Sequence, residues 1–129
     1  MFYDMYLAAK YDKRKMLLPV AAVLMLNGHT VTSKWLDGSH EGMSARESMK
    51  YAELDIEHIN KSDMFVLFNL PIGDAEQSSG RNVEFGYALA KGTKTVVVGP
   101  GHCIFYTQAT EYYPTVNDFL KVYAPNAKL

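Results

Sequence analysis

Cysteine is almost missing from this chain: Cys103 is the only one in 129 residues. No disulfide can close within the chain, no cysteine-based zinc cluster can form, and a lone thiol fits a reducing compartment, so a cytoplasmic location is expected. An excess of charge of either sign is missing too. Thirteen Lys and Arg stand against fourteen Asp and Glu, a formal net charge of -1. Without a broad basic field a nucleic-acid polymer is not an expected partner. Long apolar runs are also absent: nothing approaches the roughly 20 consecutive apolar residues that span a bilayer, so no membrane partner is expected. Met1 to Ala9 carries acidic Asp4 where a signal peptide would have a basic flank and a long apolar run. His29, His40, His58 and His102 have no metal-ligand spacing, and no Gly-x-Gly-x-x-Gly follows the first apolar run. Neither a metal nor a nicotinamide cofactor is therefore expected. Repeats, low-complexity tracts and Pro/Gly/Ser-rich linkers are lacking as well.

What remains is a globular composition, 48% hydrophobic and 21% charged, over a length that suits one domain spanning residues 1–129. Short apolar runs alternate with longer amphipathic ones, the pattern of a parallel α/β sheet. Met5 to Ala9 reads as the first strand. Leu17, Val20, Ala21 and Leu24 then recur at helical spacing until Asn27-Gly28. Because a proline inside a helix removes a donor and clashes with the preceding turn, the helix is expected to begin near Leu18, with Tyr11 to Lys15 as a loop before Pro19. His29 to Trp35 reads as a second strand and Asp37 to Ser48 as an exposed loop suited to closing over a ligand.

Glu47 to Asn60 is expected to be helical, and the continuous apolar run Met64 to Phe68 a fully buried central strand. Ser78-Ser79-Gly80 supplies turn and cap chemistry before a helix through Val83, Tyr87 and Ala90, stopped by Gly92. Thr95 to Val98 is the fourth strand and Cys103 to Tyr106 a candidate fifth, at the edge. A last helix over Val116 to Tyr123 is entered through Asn117 or Asp118. The whole reads as a doubly wound parallel sheet of four to five strands with helices on both faces. Such sheets bind ligands at the carboxyl ends of their strands, where strand order reverses.

Three polar residues fall near that end: Tyr6 on the first strand, Asp55 on the helix before the third, and Glu84 in the helix after it. At a helix start, backbone N–H groups and the dipole favour a carboxylate, which would keep Glu84 ionised and available as a nucleophile, and Gly80 and Gly86 would allow a ligand to approach. Taken alone, each has a plainer reading. Acidic residues are common in first turns, a carboxylate on a helix face is usually solvated, and a tyrosine among apolar neighbours usually fills core.

Three segments in order change that balance: Met5-Tyr6-Leu7-Ala8-Ala9, the run Glu53 to Asp63 around Asp55, and Ser79-Gly80-Arg81-Asn82-Val83-Glu84-Phe85-Gly86. Together they resemble signatures of the nucleoside 2-deoxyribosyltransferases and the related deoxynucleoside 5′-monophosphate N-hydrolases, over most of the chain up to Pro100. The resemblance implies that Glu84 attacks the anomeric carbon, Asp55 handles the proton on the departing base, and Tyr6 orients the nucleophile. That division of labour is the one used by a retaining glycosidase. It also implies a small-molecule nucleoside or nucleotide as partner, and a homo-oligomer whose C-terminal stretch completes the neighbouring site, with Thr107 and Gln108 as candidates.

Six residues before the nucleophile, nucleoside transferases of this family tend to carry an aspartate that holds the free 5′-hydroxyl, and the monophosphate hydrolases a serine; here the residue is Ser78. A carboxylate would repel a phosphate. A serine hydroxyl, the amides of Ser79 and Gly80, and Arg81 would attract one. Ser78 and Ser79 equally suit plain helix capping, and the two roles are compatible. Arg14, after the first strand, is a further candidate for the 5′ end, since its fork suits a phosphate. Trp35 suits either stacking on a base or packing at the sheet edge. Hydrolysis of a monophosphate is the expected activity. Base exchange between free nucleosides is the rival enzyme reading, and a nucleotide-binding module without catalysis the rival of another class.

Overall fold

A computed structural model describes residues 1–40, 44–69, 80–100 and 103–126. Among these residues five parallel strands form one sheet in the order β2-β1-β3-β4-β5, where β1 is Asp4–Ala8, β2 Thr30–Val31, β3 Met64–Phe68, β4 Lys94–Val98 and β5 Glu111–Tyr113. Among the described residues four helices cover it: α1 (Arg14–Leu26), α2 (Ala45–Asn60), α3 (Gly80–Lys91) and α4 (Val116–Tyr123). The expected doubly wound sheet is therefore present, with five strands. Strand order reverses between β1 and β3, which pair in register through Tyr6 and Phe65.

The central strands are apolar on both faces because helices cover both. Every residue of β3 is at most 1% exposed. Side chains alternate across the strand, so Phe65 and Phe68 point to opposite sides. Phe65 stacks on Tyr6 and meets Phe85 of α3, whereas Phe68 meets Phe119 of α4. Tyr6 thus faces the α3 layer, which is what allows its hydroxyl to reach that helix.

Several boundaries depart from the sequence reading. α1 begins at Arg14, straight after a 3₁₀ turn at Tyr11–Lys13, so Pro19 lies inside the helix. The carbonyl that loses its donor to Pro19 belongs to Lys15, and both residues are exposed, so water can serve it. The second strand is only two residues long, and Trp35 lies in a 3₁₀ turn at Lys34–Asp37. Side chains take over the ladder there: Leu7 N–H donates to Ser33 Oγ at 3.1 Å, and Trp35 Nε1 donates to the Leu7 carbonyl at 2.8 Å.

The supposed loop through Ser48 is cut short, because Ser44 and Glu47 form a capping box that starts α2 at Ala45. Residues Ile104–Gln108 form a 3₁₀ turn rather than an edge strand, with Ile104 and Phe105 largely exposed. The fifth strand lies further on, drawn to β4 by Tyr113, whose ring packs on Phe119 and Tyr123. Thr115 rather than Asn117 or Asp118 caps α4, its Oγ1 accepting from Asp118 N–H at 3.1 Å. No helix among the described residues is long and apolar enough to cross a membrane.

Candidate active site

At the carboxyl ends of the strands, beside the point where strand order reverses, a small pocket of about 140 Å³ is lined by Ala9, Tyr11, Trp35, His40, Asp55, Gly80, Arg81 and Glu84. Ala9 follows β1, Trp35 follows β2, and the last three belong to α3 beyond β3. Three of the strands therefore deliver residues that follow them to one place. Ligand sites commonly measure about 300–1,000 Å³, and this pocket is smaller.

Tyr6 is fully buried in the middle of β1, and its hydroxyl donates to Glu84 Oε2 at 2.7 Å across 78 positions of sequence. Burial and the carboxylates of Glu84 and Asp55 raise the Tyr6 phenol, so it remains a proton donor. Burial also pushes Glu84 up to about 7, the Tyr6 bond pulling against it and the charge of Asp55 adding to it. The expectation that a helix start would keep Glu84 ionised thus needs correction. Glu84 lies more than one turn past Gly80, where the helix dipole has faded, and desolvation dominates.

Asp55 projects from α2 with 16% of its side chain exposed, both oxygens held by His40 Nε2 at 2.9 and 3.0 Å. Burial raises Asp55, and the bond and charge of His40, with the charge of His58, work against the rise. His40 is in turn held by Ser39 Oγ at Nδ1, 3.0 Å away, and by stacking on Tyr51 at 4.6 Å and Tyr11 at 6.3 Å. Two carboxylates with raised affinities for protons, one bonded to a phenol and one to an imidazole, can divide nucleophilic and proton-transfer roles.

Arg81 lines the same pocket and donates to Asn69 Oδ1 at 3.3 Å. Asn69 packs closely against Gly99, whose φ is +110° and where a Cβ would collide with the Asn69 carbonyl oxygen. Close contact between the ends of β3 and β4 therefore sets the height at which Asn69 meets Arg81.

Comparison with protein-family profiles and with curated proteins yields no match. Among solved structures, a 2-deoxyribosyltransferase from the psychrotolerant bacterium Bacillus psychrosaccharolyticus aligns over 98% of this chain and 93% of its own, at 21% identity and a TM-score of 0.74. The fold is that of a 2-deoxyribosyltransferase. The CMP N-glycosidase BcmB of Clostridium botulinum shares it, over 92% of this chain and 96% of its own, at 22% identity and a TM-score of 0.62.

On this deoxyribosyltransferase fold, the residues singled out in the sequence fall as follows. Glu84, Asp55, Gly80, Arg81 and Trp35 all line the pocket, and Tyr6 bonds to Glu84 behind it. Trp35 is buried, with its indole N–H spent on Leu7, so packing and pocket lining coincide in one residue. Arg14 Nη1 donates to the Leu36 carbonyl at 2.8 Å, pinning the 3₁₀ turn that carries Trp35. Ser78 and Ser79 lie outside the described residues. Gly86 lines a different, larger groove, of about 760 Å³, with Asn82, Phe85, Phe105, Tyr106 and Gln108. No group of three or more His, Cys, Asp or Glu among the described residues could hold a metal.

His40 and Tyr11 were not foreseen as pocket residues. His40 lies in the segment expected to close over a ligand, but no local pattern pairs it with an aspartate fifteen positions later. Tyr11 was hidden by the assignment of its segment to a loop.

Proposed function

We propose that this chain belongs with the nucleoside 2-deoxyribosyltransferases and deoxynucleoside 5′-monophosphate N-hydrolases and is an enzyme of that chemistry. In this reading it cleaves the N-glycosidic bond of a 2′-deoxynucleoside 5′-monophosphate, or of a nucleoside, through a covalent intermediate on Glu84. Support comes above all from the 2.7 Å bond between the Tyr6 hydroxyl and Glu84, made beside the pocket that Asp55 lines. The fold match to a 2-deoxyribosyltransferase and to a CMP N-glycosidase agrees with it.

In the first step an ionised Glu84 oxygen bonds to the anomeric carbon as the carbon–nitrogen bond breaks, and the base leaves with a proton supplied by Asp55. In the second, water attacks the same carbon, gives its proton back to Asp55, and releases Glu84 and the sugar. Tyr6 fixes the attacking oxygen and lowers its proton affinity against the burial that raises it. His40 holds both Asp55 oxygens and so sets its orientation. Gly80 and Arg81 at the start of α3, with Ser78 and Ser79 before them, receive the 5′-phosphate. Arg14, bonded to the Leu36 carbonyl, acts by holding the 3₁₀ turn that carries Trp35. Trp35 supplies an apolar wall.

Base exchange between nucleosides is the second reading, favoured by the transferase at a TM-score of 0.74. Here a second base replaces water in the second step. The apolar groove between α3 and the Ile104–Gln108 turn, lined by exposed Phe105, suits a second copy of this chain and thus a homo-oligomer with a shared site.

Deoxycytidine and deoxycytidine monophosphate, each offered with and without adenine, separate the two. The proposal expects free cytosine from the monophosphate without adenine. Turnover confined to the nucleoside, and only with adenine present, would establish transfer instead.

A further inference from the structure

Among the described residues the partner of His40 at Nδ1 is Ser39 Oγ, 3.0 Å away, while both oxygens of Asp55 lie on Nε2 at 2.9 and 3.0 Å. Ser39 is engaged in turn. Hydrogen bonds from its hydroxyl and its N–H, the latter 2.8 Å long, hold the Asp37 carboxyl below the ordinary carboxylate range. An aspartate that accepts from the N–H two residues on closes an Asx turn. Gly38 permits that turn with a φ of +90°. The guanidinium of Arg14 lies beside Gly38, bonds to the Leu36 carbonyl, and favours ionised Asp37 by its charge. Four side chains thus form one line, from Asp37 at the surface through Ser39 and His40 to Asp55 in the pocket.

The hydrogens along this line have fixed places. An ionised carboxylate can only accept, so Asp37 takes the single hydrogen of the Ser39 hydroxyl. Ser39 Oγ then has only lone pairs to offer His40, and Nδ1 is the nitrogen that carries hydrogen. The bond made at one ring nitrogen decides the tautomer, so in a neutral imidazole Nε2 is bare. A bare Nε2 and an ionised Asp55 would meet lone pair to lone pair. Contacts of 2.9 and 3.0 Å therefore require one further proton between them, on Asp55 or on Nε2. The other titratable groups around the pair leave this count unchanged. Tyr11 and Tyr51 meet His40 through their rings, Arg81 bonds to Asn69, and Glu84, Tyr6 and His58 act on Asp55 through charge.

We infer that Asp37 and Ser39 are positioning residues for the glycosidic step: by fixing hydrogen on His40 Nδ1, they keep on the Asp55–His40 pair the proton that the departing base takes. This rests on the glycosidic reading above. When the carbon–nitrogen bond breaks, its electrons go to the base, which takes the pair's proton. Ionised Asp55 is left facing bare Nε2, an unfavourable contact that makes it a stronger base. Water then attacks the anomeric carbon, its proton passes to Asp55, and Glu84 leaves with the electrons of its bond to the sugar.

Nitrogen-15 NMR of protein carrying labelled histidine tests the tautomer, with the His40 signals identified by their loss in His40→Gln. Nδ1 of His40 should carry hydrogen in wild type from pH 6 to pH 8. In Ser39→Ala, which offers Nδ1 no acceptor, the hydrogen should move to Nε2, and Ser39→Thr, which keeps the hydroxyl, should behave as wild type. Asp37 is exposed, so Asp37→Ala removes the hydroxyl's acceptor without disturbing the core. Ser39→Ala and Asp37→Ala should each lose roughly tenfold in kcat/KM on deoxycytidine monophosphate, with the limb of the pH profile set by Asp55 moved to lower pH. The loss should vanish on a deoxynucleotide whose activated base leaves unprotonated. Equal losses on both substrates, or a bare Nδ1 in wild type, overturn the inference. If cytosine is released and Ser39→Ala matches wild type in rate and profile, only this inference fails. If no nucleotide is cleaved, the glycosidic reading fails, and the role given to Asp37 and Ser39 fails with it.

Discussion

Replacing Glu84 by glutamine should stabilise the protein, and by an amount that depends on pH. Burial raises this carboxyl from an ordinary 4.5 to about 7. A folded-state value above the unfolded one means that, between 4.5 and about 7, the folded chain holds the proton that the unfolded chain has released, so stability falls as pH rises through that window. At 1.36 kcal/mol per pH unit the full penalty is about 3 kcal/mol, reached above pH 7. At pH 5 it is only about 1 kcal/mol, most of the window still lying ahead. Glutamine keeps the acceptor for the Tyr6 hydroxyl and carries no charge at any pH. The advantage of Glu84→Gln over wild type should therefore grow by roughly 2 kcal/mol between pH 5 and pH 8, which for a domain of this size is roughly 5–10 °C in melting temperature. Thermal melts of the two proteins at both pH values measure it, because titrating groups that do not interact with Glu84 cancel in the comparison. Equal differences at the two pH values, or a variant less stable than wild type at pH 8, would refute the claim that the protein holds Glu84 where ionisation is costly.

The same environment shapes activity. Because Glu84 must be ionised to attack and Asp55 protonated to assist the base, kcat/KM should be bell-shaped in pH, with one limb set by Glu84 near 7 and the other by Asp55; a profile flat from pH 5 to 9 would contradict these roles. Tyr6→Phe removes a bond that lowers Glu84, so the limb set by Glu84 should move to higher pH, with roughly 10–100-fold lower rates at neutral pH. Asp55→Asn should cost roughly 10²–10⁴-fold and most for the poorest leaving bases, read by comparing cytosine release with that of an activated base. Gly99→Ala should destabilise by more than about 1 kcal/mol in urea melts, since its φ is +110° and the Asn69 carbonyl occupies the space a methyl would need.

How much of this was legible in the sequence depends on how local the cause was. The unbroken apolar run Met64–Phe68 announced a central strand because burial on both faces leaves no polar position, and its limits agree with the structure. The second strand was overextended because its pattern cannot reveal that Ser33 and Trp35 side chains satisfy Leu7 in place of backbone. The start of α1 at Arg14 is not visible in the sequence because Pro19 reads as a breaker, whereas exposed Lys15 tolerates the lost bond. The fifth strand was misplaced for lack of any local sign that an aromatic cluster of Tyr113, Phe119 and Tyr123 would draw Glu111–Tyr113 to the edge. Tyr6, Asp55 and Glu84 came from a resemblance spread over three segments, since spacing alone left each of them ambiguous. His40 and Tyr11 depend on contacts across the tertiary fold, and only coordinates bring them to the pocket.

The central claim is that Glu84 bonds covalently to a sugar whose base has left. Mass spectrometry of wild-type protein quenched during turnover of deoxycytidine monophosphate, with peptide mapping, tests it most directly. The account predicts a deoxyribosyl phosphate adduct on the peptide containing Glu84, free cytosine in solution, and neither from Glu84→Ala. Cytosine release by Glu84→Ala, or an adduct on any other residue, would contradict it.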